Sequence, residues 1–308
     1  MRVLVTGGAG YLGTELVGAL CRRDDISEVV IYDNLSRRNR NLFIGTALAD
    51  KPVRVVIADL LDTRRLRREL AQVDYVVHLA ARVSTPFADA DYHGLDQVNH
   101  WGTAELGYLL EERPCKGLLY VSSCSIYGDQ DDVVDATTEP RPDSAYALSK
   151  YRGERMLGRL EGRMPVTVVR CGNVYGYSES MRFDAVVNSF VFAGHFTGRI
   201  HVHGSGEQHR AFVHIDHVTK VLSALVSEAP PVGTFNLVER NLPIGEVGRQ
   251  LQQLIPGLEM IFTEQDMRRR DLRVAPDPRV FAGAPSDLDG FLDQLQAFRD
   301  KLAFTARH

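Results

Sequence analysis

A short apolar run, Val3-Leu4-Val5, feeds directly into Thr6-Gly7-Gly8-Ala9-Gly10-Tyr11-Leu12-Gly13, and apolar residues at helical spacing follow to about Arg22. Few folds accommodate that order of strand, glycines and helix. Glycine removes side chains where a backbone must turn tightly and approach a bound anion. Gly13 lets the helix pack closely, and the first N–H groups of the helix point at the anion. The string predicts a phosphate cradle at Gly7, Gly10, Tyr11, Leu12 and Gly13. A second apolar run, Val29 to Tyr32, ends at Asp33, twenty residues beyond Gly13. A carboxylate there accepts hydrogen bonds from the hydroxyls of an adenine-bearing ribose. The expectation is a dinucleotide site that continues into Asn34 and Ser36. The carboxylate repels a 2'-phosphate and so favours NAD over NADP, while Arg37 and Arg38 just beyond it keep NADP open.

Further apolar runs recur at Arg54 to Ile57, Tyr75 to Leu79, Gly117 to Val121 and Val166 to Val169. Continuous rather than alternating hydrophobicity marks strands covered on both faces. Between the runs, Gly13 to Arg22, Thr63 to Leu70, Leu95 to Glu111 and Ala145 to Leu160 carry apolar residues three and four apart, as amphipathic helices do. The expected fold is α/β, a Rossmann-like doubly wound parallel sheet with a smaller C-terminal substrate-binding α/β domain. Residues 1–172 are expected to form the nucleotide-binding domain, with a re-entry near 210–238, and residues 173–308 mainly the smaller one. Frequent glycine after Gly172, strand-like Arg199 to His203 and helix-like Asp216 to Val226 signal the change. The third run ends at Asp59-Leu60, where Asp59 reads either as an acceptor for the adenine amino group or as the N-cap of Thr63 to Leu70. The fourth ends in His78-Leu79-Ala80-Ala81, whose small residues let backbone lie against a cofactor. His78 itself reads as a packed structural histidine.

At 308 residues, 44% apolar and a formal charge of -4, a chain buries about 75% of its unfolded surface without staples. Its mild acidity is spread along the sequence, which argues against a nucleic-acid footprint or a polybasic membrane anchor, so a small-molecule partner is expected. The four cysteines, Cys21, Cys115, Cys124 and Cys171, share no C-x-x-C spacing and suggest neither a zinc cluster nor disulfides. With no signal-like or membrane-spanning run, a cytoplasmic location is expected. Six of the ten histidines fall between His195 and His217, and His201 and His203 share one face of a strand. No carboxylate or cysteine completes a ligand set there, and no metal is expected. The basic run Arg268-Arg269-Arg270 reads as a solvated or ligand-facing turn.

Tyr146-Ala147-Leu148-Ser149-Lys150 places a phenol and an ammonium four residues apart on one helix face. A free tyrosine, with a pKa of about 10, is too weak a base near neutrality; a neighbouring lysine cation and a positive nicotinamide ring lower that value. Tyr146 is thus a candidate general base, with Lys150 its activator. The run Leu118 to Val121 continues into Ser122-Ser123-Cys124-Ser125-Ile126-Tyr127-Gly128, delivering hydroxyls to the C-terminal edge of the sheet, where ligands bind in such folds.

Taken in order, T-G-G-x-G-x-x-G, the late Asp33, H-L-A-A, V-N-x-x-G-T (Val98 to Thr103), S-S-x-S-x-Y-G, Y-x-x-x-K and R-x-x-N-V-Y-G (Arg170 to Gly176) resemble the NAD-dependent epimerase/dehydratase family. That family is an extended branch of the short-chain dehydrogenases/reductases and includes the UDP-glucose/UDP-galactose 4-epimerases. The resemblance runs from Met1 to about Asp216 and implies NAD as cofactor and a nucleotide-diphosphate sugar as substrate. It makes Ser123 the hydroxyl that shares the substrate proton with Tyr146. Ser122, Asn99 and Cys171 support the cofactor side, and Thr85, Ser125, Asn173, Arg210 and Arg273 the substrate side. Arginine suits the diphosphate because its planar fork pairs two oxygens. The helices Leu95 to Glu111 and from Ala145 resemble the pair through which members form homodimers by a four-helix bundle.

The sequence also departs from the pattern. The usual R-D-F reads Arg210-Ala211-Phe212, and Tyr177 rather than Pro follows N-V-Y-G. Both departures sit near the sugar pocket. Members that eliminate water as 4,6-dehydratases carry an acidic pair directly after the hydroxyl that matches Ser123, since elimination needs an acid for the leaving hydroxyl and a base for the neighbouring proton. Cys124 and Ser125 stand there instead. The expected reaction is epimerisation, at C4 of the sugar, through a transient keto-sugar. A net keto-sugar reductase or dehydrogenase, and a non-catalytic dinucleotide sensor, are the alternatives.

Overall fold

In the computed structural model, residues 1–38, 40–44, 51–83, 91–263, 270–280 and 290–302 are described. The six apolar runs form β1 (Arg2–Thr6), β2 (Glu28–Asp33), β3 (Val53–Ile57), β4 (Tyr75–His78), β5 (Gly117–Ser123) and, after the two-residue β6 (Val133–Val134), β7 (Val166–Cys171). With β11 (Gly233–Leu237) they make one seven-stranded sheet in the order β11-β7-β5-β4-β1-β2-β3, every pair parallel. Strand order reverses between β1 and β4, and a crevice opens at the carboxyl ends of the strands at such a point.

Alternation along each strand divides the core. Val3 and Val5 face a layer with Leu16, Val17 and Leu20 of α1 (Tyr11–Cys21) and Val218 and Leu222 of α7 (Ile215–Leu225). Leu4 and Val30 face Leu66 of α2 (Thr63–Leu70), Leu106 and Leu110 of α4 (Gly102–Glu112), and Leu157 of α5 (Ala145–Leu157). Except at the edge strand β3, whose Val55 and Ile57 are exposed, both faces are dry, which is why the runs are continuous.

The remaining elements gather beside this sheet. β8 (Asn173–Tyr175), β10 (His209–His214) and β12 (Arg240–Pro243) form a second sheet, β9 (Arg199–His203) pairs with β13 (Glu259–Thr263), and β6 pairs with β14 (Arg273–Val274). Phe190 and Val191 of α6 (Val186–Thr197), Val247 and Leu251 of α8 (Ile244–Leu254), and Phe291 and Leu295 of α9 (Phe291–Arg299) close a separate core with Ile200 and Phe212. α6 stops at Gly198, whose φ of 67° is open to glycine at little cost.

Three helices differ from the sequence reading. α1 begins at Tyr11, so the end of the glycine string is already helical. The helix expected from Leu95 starts as α3 (Tyr92–Leu95) and passes through a π-helical stretch, Asp96–Trp101, into α4; one wide turn leaves the apolar spacing nearly unchanged. α5 ends at Leu157, followed by a 3₁₀ turn, Gly158–Leu160. β11 was not singled out because Gly-Thr-Phe-Asn-Leu is half polar. Among the described residues no helix is long and apolar enough to cross a membrane, and no group of three metal-ligating side chains converges.

Candidate active site

At the crevice, Gly7 takes φ +71°, and a Cβ there would lie 2.7 Å from Ala80 N; a Cβ on Gly13 would lie 2.3 Å from Gly7 O. These two glycines bring the backbone of β1, the turn and the end of β4 into direct contact. Gly10, by contrast, would place a Cβ near Gly7 O alone, which leaves that face of the cradle open. Thr14 N bonds Gly10 O at 2.9 Å, and the N–H groups of Tyr11, Leu12 and Gly13 before it have no intrahelical acceptor. The Tyr11 side chain turns inward: its hydroxyl donates to Gly176 O at 2.7 Å and accepts from Asn188 at 3.2 Å. Only its backbone belongs to the cradle.

Asp33 accepts from Ala9 N at 3.1 Å and Leu35 N at 2.8 Å, so the carboxylate is fixed at the rim of the cradle. Asn34 donates to Asp59 at 2.9 Å and its own oxygen accepts from Ser36 N at 3.0 Å. Asp59 also accepts from Leu61 N at 3.0 Å, while Asp62 caps α2 by accepting from Arg65 N at 3.1 Å. The N-cap reading of Asp59 is therefore corrected: the chain needs one more turn, closed by Asp62 N on Asp59 O, before the helix starts. Leu60 is buried against Gly102. Leu79 and Ala80 follow β4, with Leu79 N bonded to Thr6 O at 3.1 Å and Ala80 N to Thr6 Oγ1 at 3.2 Å; Ala81 comes next. Asn99, in the π-helical stretch, is fully buried. Its amide bonds Arg82 N, Arg82 O and Ser149 Oγ at 2.8–2.9 Å, so it fixes the backbone after β4 against α5.

His78 is buried between Thr6, 2.6 Å from Nδ1, and Thr103, 2.9 Å from Nε2. Burial, aided by Lys150, pushes its pKa down to about 3, so it is a neutral structural group. Ser122 Oγ is buried and has no hydrogen-bond partner among the described residues. An open glycine face, free helix N–H groups, a rim carboxylate and an orphaned hydroxyl form a donor and acceptor set that fits a dinucleotide.

Along one face of α5 lie Tyr146, Lys150 and Glu154. The helix is capped by Ser144, whose Oγ accepts from Ala147 N at 3.2 Å. Ser123 acts on the Tyr146 phenol, lowering its pKa, and its Oγ donates to Ser125 at 2.9 Å. Burial pushes the phenol above its ordinary value although the residue keeps some solvent exposure; Arg182 and Ser123 pull it back down. Lys150 Nζ donates to Val121 O at 2.8 Å and lies 4.2 Å from the centre of the Tyr120 ring. Burial lowers its pKa to about 7. In the protein alone the lysine is thus engaged by a carbonyl and a ring face. Arg182 was missed by sequence reasoning, and no spacing ties it to Tyr146.

Glu154 had a signal: it sits four residues past Lys150. It takes a two-point ion pair from Arg170, at 3.2 and 2.8 Å, buried on both sides. Arg170 also donates to Tyr127 at 2.9 Å, which donates to Asn236 at 2.8 Å. This network bolts α5 to β7, β11 and the turn that follows β5. Cys171 closes β7, and burial raises its thiol to about 12, so it is inert. Cys124 is buried and donates to Arg170 O at 3.2 Å.

On the opposite side, Asn173 donates to Ala211 O at 3.0 Å. Arg210 Nη1 donates to His209 O at 2.8 Å and to Arg270 O. Burial and the nearby Arg270 cation bring the Arg210 pKa down to about 10, against the opposing pull of Asp271, Asp129 and Asp143. Arg273 donates to Asp131 O and lies 3.7 Å from Asp271; it faces the β6–β14 edge and is tied to protein groups there. Thr85 lies outside the described residues.

Fold and side chains together define a Rossmann-type protein with a serine, a tyrosine and a lysine gathered at the sheet's carboxyl edge. Residues 3–237 match the model of the NAD dependent epimerase/dehydratase family, and the chain belongs to it. Human dTDP-D-glucose 4,6-dehydratase is 25% identical over 260 residues, covering 82% of this chain and 74% of that protein. Among solved structures, UDP-N-acetylglucosamine 4-epimerase from Methanobrevibacter ruminantium M1, in complex with UDP-N-acetylmuramic acid, superposes with a TM-score of 0.81 at 25% identity over 97% of both chains. The dTDP-glucose 4,6-dehydratase DesIV from Streptomyces venezuelae, solved with NAD bound, gives 0.82 at 25% identity over 98% of both. Both reactions of the family are thus represented among its relatives.

Proposed function

We propose that this chain is an NAD-dependent nucleotide-sugar epimerase acting at C4 through a transient keto-sugar. The observation that carries this reading is the fate of the two residues after Ser123. Cys124 points into the core, and Ser125 accepts a hydrogen bond from Ser123 itself. Neither can protonate a leaving hydroxyl. Epimerisation needs only one shared proton position, which Ser123 and Tyr146 supply.

In this reading Gly7, Gly10, Gly13, Asp33, Ser122 and Lys150 would hold NAD, which would supply reversible hydride transfer with the sugar carbon. Tyr146 takes the sugar hydroxyl proton while Ser123 orients that oxygen, and the same pair gives the proton back. Arg210 and Asn173 hold the diphosphate, leaving the sugar free to turn. Sequence relatedness to dehydratases supports the competing reaction, loss of water. Incubating the protein with a panel of UDP-, GDP- and dTDP-sugars and reading products by NMR and mass separates the two: epimers of unchanged mass support the proposal, and a keto-sugar lighter by one water overturns it. We also infer a homodimer through the outer faces of the helix running from Leu95 to Glu111 and of α5, supported by the exposed Trp101 and Tyr108, and a cytoplasmic setting, supported by four unpaired cysteines.

A further inference from the structure

The loop between β5 and α5 and the segment that leads into β14 are far apart in sequence, yet they are stitched together. Asp129 accepts from Asp271 N at 2.7 Å, Gln130 N donates to Asp271 O at 3.0 Å, and Arg273 and Val274 pair with Val133 and Val134. At one end of this seam Arg270 makes a two-point ion pair with Asp143: Nε donates to Oδ2 at 2.9 Å and Nη2 donates to Oδ1. Asp143 directly precedes Ser144, the cap of α5, whose carbonyl accepts from Leu148 N at 2.9 Å. Tyr146 lies inside that first turn. The carbonyl of Arg270 in turn receives Arg210 Nη1. A single residue therefore touches both the arginine on the substrate side and the turn that carries the phenol.

We propose that Arg270 is a positioning residue for the reaction: its fork on Asp143 sets the first turn of α5, so that the Tyr146 hydroxyl meets the sugar of a substrate gripped by Arg210. This rests on the epimerase reading above. The fork matters because a planar guanidinium fixes a carboxylate in direction as well as distance, which a point charge does not. The pair is 22% and 38% exposed on its two sides, and partly exposed pairs contribute little to overall stability. Its consequence lies in where α5 begins, and misplacing a reacting group by about 1 Å costs on the order of a hundredfold in rate.

The test compares the full-length wild type with Asp143→Asn, Arg270→Ala and the charge swap Asp143→Arg/Arg270→Asp, all with NAD present. Each single variant is expected to lower kcat about tenfold and to speed deuterium exchange at the Ala147 and Leu148 amides. Asp143→Asn should leave KM near the wild-type value, and the melting temperature should move by no more than about 2 °C. The swap should restore both rate and exchange protection. Wild-type kcat and exchange in Asp143→Asn overturn the proposal, as does a loss that the swap leaves unrepaired while the melting temperature collapses. If no nucleotide sugar is turned over by the wild type, the epimerase reading fails while amide exchange still decides the role of Arg270.

Discussion

On the cofactor side of the cleft, Asp33 is fixed by Ala9 N and Leu35 N, and Asn99 has all its side-chain bonds inside the protein. On the substrate side, Arg210 leans on two carbonyls while burial and a second arginine lower its pKa to about 10. On one side the framing carboxylate and amide are already held by the protein, and only the helix N–H groups and Ser122 Oγ stay open; on the other the cation itself is loosely matched. The contrast suits an enzyme that keeps one molecule in place and exchanges another, since preformed groups bind without reorganisation and strained ones respond to a ligand.

The sharpest way to break that comparison is at the point where the sides meet. Tyr146→Phe should lower kcat by about a thousandfold while NAD remains bound at wild-type stoichiometry, measured by turnover and by cofactor content of the purified protein. Loss of NAD along with turnover would show that the phenol belongs to the satisfied side. Next in size is the bolt behind α5. Glu154→Ala leaves Arg170 buried without its carboxylate and should destabilise the fold by about 3 kcal/mol, read by denaturant unfolding. A smaller effect is expected from Arg210→Lys, which keeps the charge and loses the fork: KM for the nucleotide sugar should rise about tenfold with kcat little changed, as steady-state kinetics will show.

The smallest effect is a slope. His78 is neutral in the fold, with a pKa lowered to about 3 from 6.5, so below pH 6.5 the unfolded chain takes up a proton that the folded one refuses. Stability contributed by this site is therefore complete above pH 6.5 and is lost as pH falls towards 3. Replacing it in His78→Gln should flatten the acid limb of the stability–pH curve measured by urea unfolding, even though the variant starts less stable for want of the Thr6 and Thr103 contacts.

The same division governs what could be read from the residues alone. The cofactor side is local: glycines, a following helix and a carboxylate at a fixed distance impose their geometry within one strand–helix–strand unit, so Gly7, Gly13 and Asp33 stand where the pattern put them. The π-helical stretch around Asn99 escaped because one wide turn barely alters apolar spacing, and the turn from Asp59 to Asp62 escaped because a capping-type aspartate stands at each end of it. On the substrate side the contacts join residues such as Asp143 and Arg270, 127 positions apart, and no periodicity encodes them. Arg182, whose charge reaches the phenol from the segment between β8 and α6, was invisible for the same reason. The lysine's hold on Val121 O was hidden too, because helix spacing specifies a face and not the partner found there.

The claim on which the chemistry depends is that the hydrogen removed from the sugar carbon returns to that same carbon. Supplying a nucleotide sugar deuterated at C4 and following the label by NMR tests it directly. Epimerisation predicts deuterium retained at C4 of the inverted product, with no build-up of reduced nicotinamide. Deuterium found at C6, or released on free reduced cofactor, would contradict it.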